Sequence, residues 1–237
     1  MDLTSPSLEP VSAAQDELQR LCLCAGSGDL SCAICDSFDH LDVKIRRMAR
    51  GDLIAHEQAY RSALLMVRYG LLATTKQLSG RRRQLVSLRQ PGEVFCSINA
   101  FDQSFRTLAL APSDVIILKL ETLSDATVTD YLFQLAHAEL LNLSSRTVLL
   151  GRMTAAERVL SFLNELVEHQ GETSGDSVQV DLAMTREDIA DYLGLKAETV
   201  SRVLGRVRNT GLIVFDGPTH FSVPDPAALR GFDAMAV

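Results

Sequence analysis

The chain has 237 residues, 46% of them hydrophobic, which is enough for one large domain or two modest ones. Its formal net charge of -7 excludes a protein that coats nucleic acid through bulk positive charge, so any DNA binding must come from a local basic surface. No apolar run approaches the ~20 residues that cross a bilayer, and residues 1–19 lack the pattern of a signal peptide. We therefore expect a cytoplasmic protein that has no contact with membranes.

Four of the five cysteines fall within one short segment near the N-terminus. They are Cys22, Cys24, Cys32 and Cys35, and two glycines between Cys24 and Cys32 are typical of a loop that can wrap a ligand. Lasting disulfides are rare in a reducing compartment, so metal binding or redox chemistry is the better interpretation. We assign residues 1–35 to a cysteine-bearing segment and expect a helical turn or two over residues 36–48.

Short apolar runs separated by turn residues occupy residues 51–123. Evenly spaced runs of this length predict the strands of an antiparallel sandwich or roll, and we assign residues 36–123 to this sheet domain. The predicted strands span residues 63–69, 71–75, 84–88, 94–98, 107–111 and 115–120.

Residues 124–150 contain neither Gly nor Pro, and their apolar residues recur at helical spacing, which predicts one long helix. A helix with two apolar faces must bury both, so we expect one face on the sheet domain and the other on a second copy of the chain. Packing of both faces within one chain is the alternative. One stripe consists of Phe133, Ala136, Leu140, Leu143 and Thr147, and the other of Val128, Leu132 and Leu135.

Residues 151–237 follow the element order of a winged helix-turn-helix, a DNA-binding module. After a break at Gly151 we predict an amphipathic helix over residues 154–169, a polar loop over 171–177 and a strand over 177–182. Two short helices follow within residues 184–210, and then a hairpin of residues 212–215 and 220–223.

The first short helix has local start and stop signals. Thr185 is placed as an N-cap with Asp188 as its capping-box partner, and Gly194 ends the helix. The small Ala190 permits the close helix crossing that the motif requires.

The second short helix carries most of the predicted DNA contacts on its exposed side. Arg202 can donate two hydrogen bonds to guanine, Glu198 can accept one from cytosine, and Ser201 can reach a base or a phosphate. An ordinary solvated helix is the alternative, and the cap, the turn glycine and the hairpin favour DNA binding. The remaining predicted contacts are Arg206, Arg208, Lys196 and Thr185, with phosphate expected for Arg206 and Arg208.

Residues 184–213, with Glu-x-x-Ser-Arg at 198–202, resemble the signature of the Crp/Fnr superfamily of bacterial regulators, and most closely its Fnr-like branch. Gly51, Gly70, Gly80 and the Pro-Gly-Glu at 91–93 fall where the family's sensory β-roll turns. The resemblance implies an α+β protein with a cyclic-nucleotide-binding-like antiparallel β-roll, a dimerisation helix at 124–150 and a winged helix-turn-helix at 151–237. It also implies a homodimer on palindromic double-stranded DNA, in contact with RNA polymerase.

The cyclic-nucleotide branch of the family holds its ligand with a Gly-Glu pair and a later Arg followed by Ser or Thr. Arg106 and Thr107 match the second part, whereas Cys96 and Ser97 replace the first. We therefore do not expect a cyclic nucleotide. Arg106, Thr107 and Ser97 are kept as an alternative effector pocket, and Arg106 is expected to make a structural salt bridge or hydrogen bond.

Cys24, Cys32 and Cys35 resemble the spacing of Fnr-like oxygen sensors, whose N-terminal cysteines hold a 4Fe-4S cluster. Cys22 or Cys96 would supply the fourth thiolate, because the family's own fourth position corresponds here to Ile116. Zinc on the same cysteines, redox sensing by free thiols and no effector are the alternatives. A thiol redox enzyme at 32–35 is a remote alternative, because alternating parallel strands and helices are lacking; we predict that the chain is not an enzyme.

Overall fold

The computed structural model describes residues 43–54, 63–80, 82–96, 104–119, 126–174, 177–217 and 219–232. The chain divides into two compact units between Leu141 and Asn142. The predicted cysteine segment at 1–35, with Cys22, Cys24, Cys32 and Cys35, lies outside the described residues, as does Ser97.

Antiparallel strands form the first unit, as the spacing of the apolar runs predicts. Two four-stranded sheets have the orders β1-β8-β3-β6 and β2-β7-β4-β5. The strands are β1 (Val43–Met48), β2 (Leu53–Ile54), β3 (Ala63–Tyr69), β4 (Leu72–Gln77), β5 (Arg83–Arg89), β6 (Val94–Cys96), β7 (Phe105–Ala109) and β8 (Ser113–Lys119).

The core of this unit joins side chains from both sheets. Leu65 and Phe95 come from one sheet and Ile54 and Leu72 from the other, and each is at most 1% exposed. Burial of a side chain of this size contributes about 1.5 to 3 kcal/mol, so the contact between the sheets stabilises the roll.

The helical turn expected over 36–48 is wrong where the structure describes it. Residues 43–48 form strand β1, which pairs antiparallel with β8. Ile45 and Met48, three residues apart, are buried, whereas Lys44 and Arg47 are exposed, so the burial does not alternate as it does in a strand with one buried face. Pairing with a strand far along the chain decides its conformation, and a local pattern does not contain that information.

A helix of 27 residues, α1 (Ala126–Arg152), confirms the predicted long helix. It continues through Gly151, where the sequence predicts a break, and a Cβ there would meet nothing within 4 Å. Phe133 is 73% exposed and Leu140 is 61% exposed, whereas Leu132 and Leu135 are less accessible. None of the helices in the described part of the chain is long and apolar enough to cross a membrane.

The second unit has the predicted order of helices, strand and hairpin. Its four-stranded antiparallel sheet has the order β11-β12-β10-β9, and the hairpin of β11 and β12 is called the wing below. Strand β9 lies where a polar loop was expected, because it pairs with β10. The elements are α2 (Ala155–Gln170), β9 (Glu172–Ser174), β10 (Ser177–Asp181), α3 (Arg186–Leu193), α4 (Ala197–Asn209), β11 (Val214–Phe215), β12 (His220–Val223) and α5 (Pro226–Arg230).

Arg158 of α2 ties three elements of the second unit together. Its Nε donates to the carbonyl of Met153 at 3.0 Å, Nη1 to that of Leu193 at 3.0 Å and Nη2 to that of Leu150 at 2.8 Å. Carbonyls at the end of a helix have no partner within that helix. One guanidinium therefore satisfies the ends of both α1 and α3.

We expect Arg158→Met to lower the free energy of unfolding by about 2 kcal/mol, because charge-assisted hydrogen bonds to these carbonyls are lost while the apolar stem is kept. Urea unfolding followed by circular dichroism measures the change. Arg230→Met, at an exposed position of α5, is the control and should stay within about 0.5 kcal/mol of the original chain. Equal stability of the two variants would contradict the role of Arg158.

Candidate nucleic-acid interface

A reciprocal capping box begins α3, as the sequence predicts. The Asp188 backbone N–H donates to Thr185 Oγ1 at 3.1 Å, and the Thr185 N–H donates to Asp188 Oδ2 at 3.0 Å. Asp188 is only 4% exposed. Because the two residues satisfy each other, the buried carboxylate is compensated and the start of α3 is fixed.

The turn between α3 and α4 depends on Gly194. This residue has φ of 63°, a left-handed conformation that other residues adopt at a cost. A Cβ there would also lie 3.2 Å from Leu150 Cδ2. After this turn, Val200, Val203 and Leu204 of α4 are buried, so the opposite side of α4 faces outward.

That outward side presents the predicted DNA contacts. Glu198, Ser201 and Arg202, called the reading ridge below, are all exposed. Arg202 Nη2 donates to Glu198 Oε1 at 2.6 Å, and the two side chains are 66% and 78% exposed. Arg206 and Arg208 are exposed further along α4, and Lys196 is exposed at its N-cap position without a side-chain capping bond.

Tyr192, buried in α3, anchors the motif by contacts that the sequence did not indicate. Its hydroxyl donates to Glu165 Oε1 at 2.9 Å, and the Arg146 guanidinium lies 3.6 Å from the centre of its ring and donates to its carbonyl. Phe162 packs edge-on with ring centres 5.8 Å apart. These contacts fix α3 against α2 and the end of α1 that belongs to the second unit.

The candidate effector residues do not share one surface. Thr107 is 1% exposed, whereas its neighbour Arg106 is exposed, because successive side chains of a strand point to opposite faces. The structural bond expected of Arg106 is not found: within the described ranges, its side chain has no hydrogen-bond or ion-pair partner.

Cys96 ends β6 and lies near an ion pair between Arg89 and Glu139. The Cys96 side chain is exposed at the surface, yet the protein on its other side partly desolvates the thiol and raises its pKa; Glu139 raises it further, and Arg89 opposes them. Ile116, the counterpart of the family's fourth ligand, is 0% exposed in β8. No group of three residues suited to hold a metal occurs in the part of the chain that the structure describes.

Because the thiolate is the reactive form, Cys96 should react with iodoacetamide at neutral pH more slowly than an unstructured cysteine peptide, with its midpoint shifted to higher pH. Glu139→Gln should move the midpoint back toward the ordinary value, whereas Asp130→Asn, on the same helix, should not. Mass spectrometry of the Cys96 peptide across a pH series measures the rates. A profile equal to that of the free peptide would contradict the inferred surroundings.

Comparison with known proteins finds relatives for both units of the chain. A model of the Crp-like helix-turn-helix domain matches residues 157–232. The nitrogen fixation regulation protein FixK of Azorhizobium caulinodans is 33% identical over 78% of this chain and 77% of its own length. The anaerobic regulatory protein of Pasteurella multocida is 28% identical over 71% of this chain and 64% of its own. The structure of FixK2 from Bradyrhizobium japonicum aligns with a TM-score of 0.70 and 28% identity, over 81% of this chain and 97% of that one.

Proposed function

Because this chain belongs to the Crp/Fnr family of transcription regulators, we propose that it reads a palindromic operator as a homodimer, with the reading ridge of α4 in the major groove. The observation that carries the proposal is the exposure of Glu198, Ser201 and Arg202 on a helix whose other side is buried. A helix fixed in this way can enter a groove without unfolding any part of the unit.

The chemistry of the ridge suits a specific base pair. A guanidinium can donate to O6 and N7 of guanine, and a carboxylate can accept from the amino group of cytosine. In the free protein Arg202 and Glu198 are paired with each other. An exposed pair of this kind contributes only about 0 to 1 kcal/mol, so both partners can be exchanged for bases at small cost.

Basic side chains around the ridge are suited to the phosphate backbone. Lys196, Arg206 and Arg208 are exposed near or along α4, and the hydroxyl of Thr185 lies at the start of α3. Phosphate contacts fix the register of the protein on the duplex but do not select a sequence. They also supply local attraction in a protein whose net charge is -7.

The exposed apolar stripe of α1 supports the homodimer. Phe133 is 73% exposed, Leu140 61% and Leu143 45%, and such a stripe on a helix is stabilised when a second helix covers it. Two reading ridges related by a two-fold axis would enter major grooves ~34 Å apart. We also expect the regulator, once bound at a promoter, to contact RNA polymerase as other members of the family do.

We expect Arg202→Ala to weaken operator binding by about 1 to 3 kcal/mol and to relax the preference at one base pair. Arg208→Ala should weaken binding to all sequences equally and reduce the salt dependence, because a phosphate contact is lost. Selection from a randomised duplex pool, followed by titration of the selected duplex at several salt concentrations, measures both effects.

Arg230→Ala, outside the interface, is the control for the change of charge. Identical behaviour of the Arg202 and Arg208 variants would contradict the division into base and phosphate contacts. Equal affinity for a half-site and for the full palindrome would contradict the homodimer.

We further propose that the regulator responds to oxygen or redox state through a 4Fe-4S cluster held by Cys24, Cys32 and Cys35. When bound, such a cluster supplies an oxygen-sensitive iron centre. Cys22 is the better fourth ligand, because it lies in the same short segment of the sequence as the other three cysteines, whereas Cys96 ends strand β6. Support comes from the four clustered thiols and from similarity to a protein named as an anaerobic regulator.

Iron and sulfide analysis of protein purified without oxygen tests this set of ligands. Cys24→Ala, Cys32→Ala and Cys35→Ala should each lose iron, because the cluster needs four thiolates. Cys96→Ala is the matched control and should keep it. Iron unchanged in all three variants would eliminate the ligand set, and zinc in place of iron would support the alternative metal.

A further inference from the structure

A cleft of about 320 Å³ opens between α4 and the wing. Arg186, Ser201 and Arg208 bring two guanidinium groups and a hydroxyl to it, and Leu204 and Phe215 form an apolar wall. No carboxylate is among the described residues that line it. The described lining of the cleft is therefore basic and apolar, without an acidic group.

Arg186, at the start of α3, is half-buried and has no ion-pair partner among the described residues. Its Nη1 is buried without a hydrogen-bond partner within the described ranges, and its guanidinium lies 5.2 Å from the centre of the Phe215 ring. Desolvation lowers the pKa of Arg186. The guanidinium is half-buried and also lines the cleft, so a bound anion would balance its charge through the donors that remain accessible there.

Gly205 leaves the cleft open on the side of α4, where it lies between Ser201 and Arg208. Gly217 also lines the cleft, but its φ of 81° in the turn of the wing already favours glycine there. A Cβ built at either position meets nothing within 4 Å. Glycine inside a helix lowers helix stability by about 1 kcal/mol relative to Ala, and at Gly205 no close contact of the described structure requires it. An open cleft is what this glycine provides.

We propose that the cleft binds a small organic phosphate, with its phosphoryl group on Arg186 and Arg208 and its apolar part against Leu204 and Phe215. This inference rests on the proposed function, because Ser201 and Arg208 also belong to the DNA-binding surface. The bound compound and the operator compete for these two residues. The cleft thus makes DNA binding sensitive to a soluble metabolite class.

A phosphate of the DNA backbone has the same charge chemistry as a free organic phosphate. The volume and the apolar wall favour the free compound, since about 300 Å³ is the lower end for small-molecule sites and a backbone phosphate uses no apolar surface. Measurements on the protein without DNA separate the two sources.

Phenyl phosphate is the probe, with inorganic phosphate as its comparison, and calorimetric titration of the DNA-free full chain at constant ionic strength is the measurement. We expect phenyl phosphate to bind at least about tenfold more tightly than inorganic phosphate, because only the former covers the apolar wall. Arg186→Gln should weaken its binding by about tenfold or more. Gly205→Met should also abolish it by filling the cleft without changing the charge, and Arg230→Gln, outside the cleft, should bind as the original chain does.

Operator titration with and without phenyl phosphate tests the competition. Phenyl phosphate should weaken operator binding by the original chain. The operator affinity of Gly205→Met should be the same with and without phenyl phosphate. Equal affinity for both phosphates, or phenyl phosphate binding unchanged in Arg186→Gln and Gly205→Met, would overturn the site. Failure of the chain to bind any operator would overturn the proposed function, and the DNA-free titration would still decide the site.

Discussion

The interface depends on the tight turn at Gly194, which lets α3 and α4 cross closely enough to share one apolar contact. Ile189 and Leu193 of α3 and Val200 and Val203 of α4 are all at most 1% exposed. Because these side chains hold the apolar face of α4 against α3, the polar face of α4 must point outward. The direction of Arg202 is therefore set by apolar residues that never meet a ligand.

The arginine residues of the second unit fall into two groups, one inside the unit and one at the surface of α4. Arg146 and Arg158 donate hydrogen bonds to backbone carbonyls inside the unit, and Arg146 also stacks on the ring of Tyr192, so both stabilise the fold. Arg202, Arg206 and Arg208 remain at the surface of α4. The same residue type thus serves the scaffold and the interface, and only the surroundings of each guanidinium separate the two roles.

Much of the second unit could be predicted because its signals are local. Thr185 and Asp188 are three residues apart, Gly194 follows the helix it ends, and the hairpin lies within one short stretch. Strand β1 could not be predicted, because its partner β8 is far along the chain. Long-range pairing leaves no periodic mark that separates a short strand from a helical turn.

The site was predictable only where exposure follows from helical periodicity. The reading ridge falls on the side of α4 opposite Val200 and Val203, so the pattern of the helix indicates it. The cleft beside it did not show in the sequence, because Arg186 and Phe215 meet across the fold. The anchoring of Tyr192 was missed for the same reason, since its partners come from two other helices.

The exposed pair of Glu198 and Arg202 bears on how quickly the protein can search a genome. Under the proposed function, a wrong sequence satisfies neither partner, and the carboxylate then opposes binding beside the phosphate backbone. A sequence that offers acceptors to one partner and a donor to the other releases both together. Under the proposed function, the pair would therefore disfavour the many incorrect positions along the chromosome, which the protein must leave before it reaches its operator.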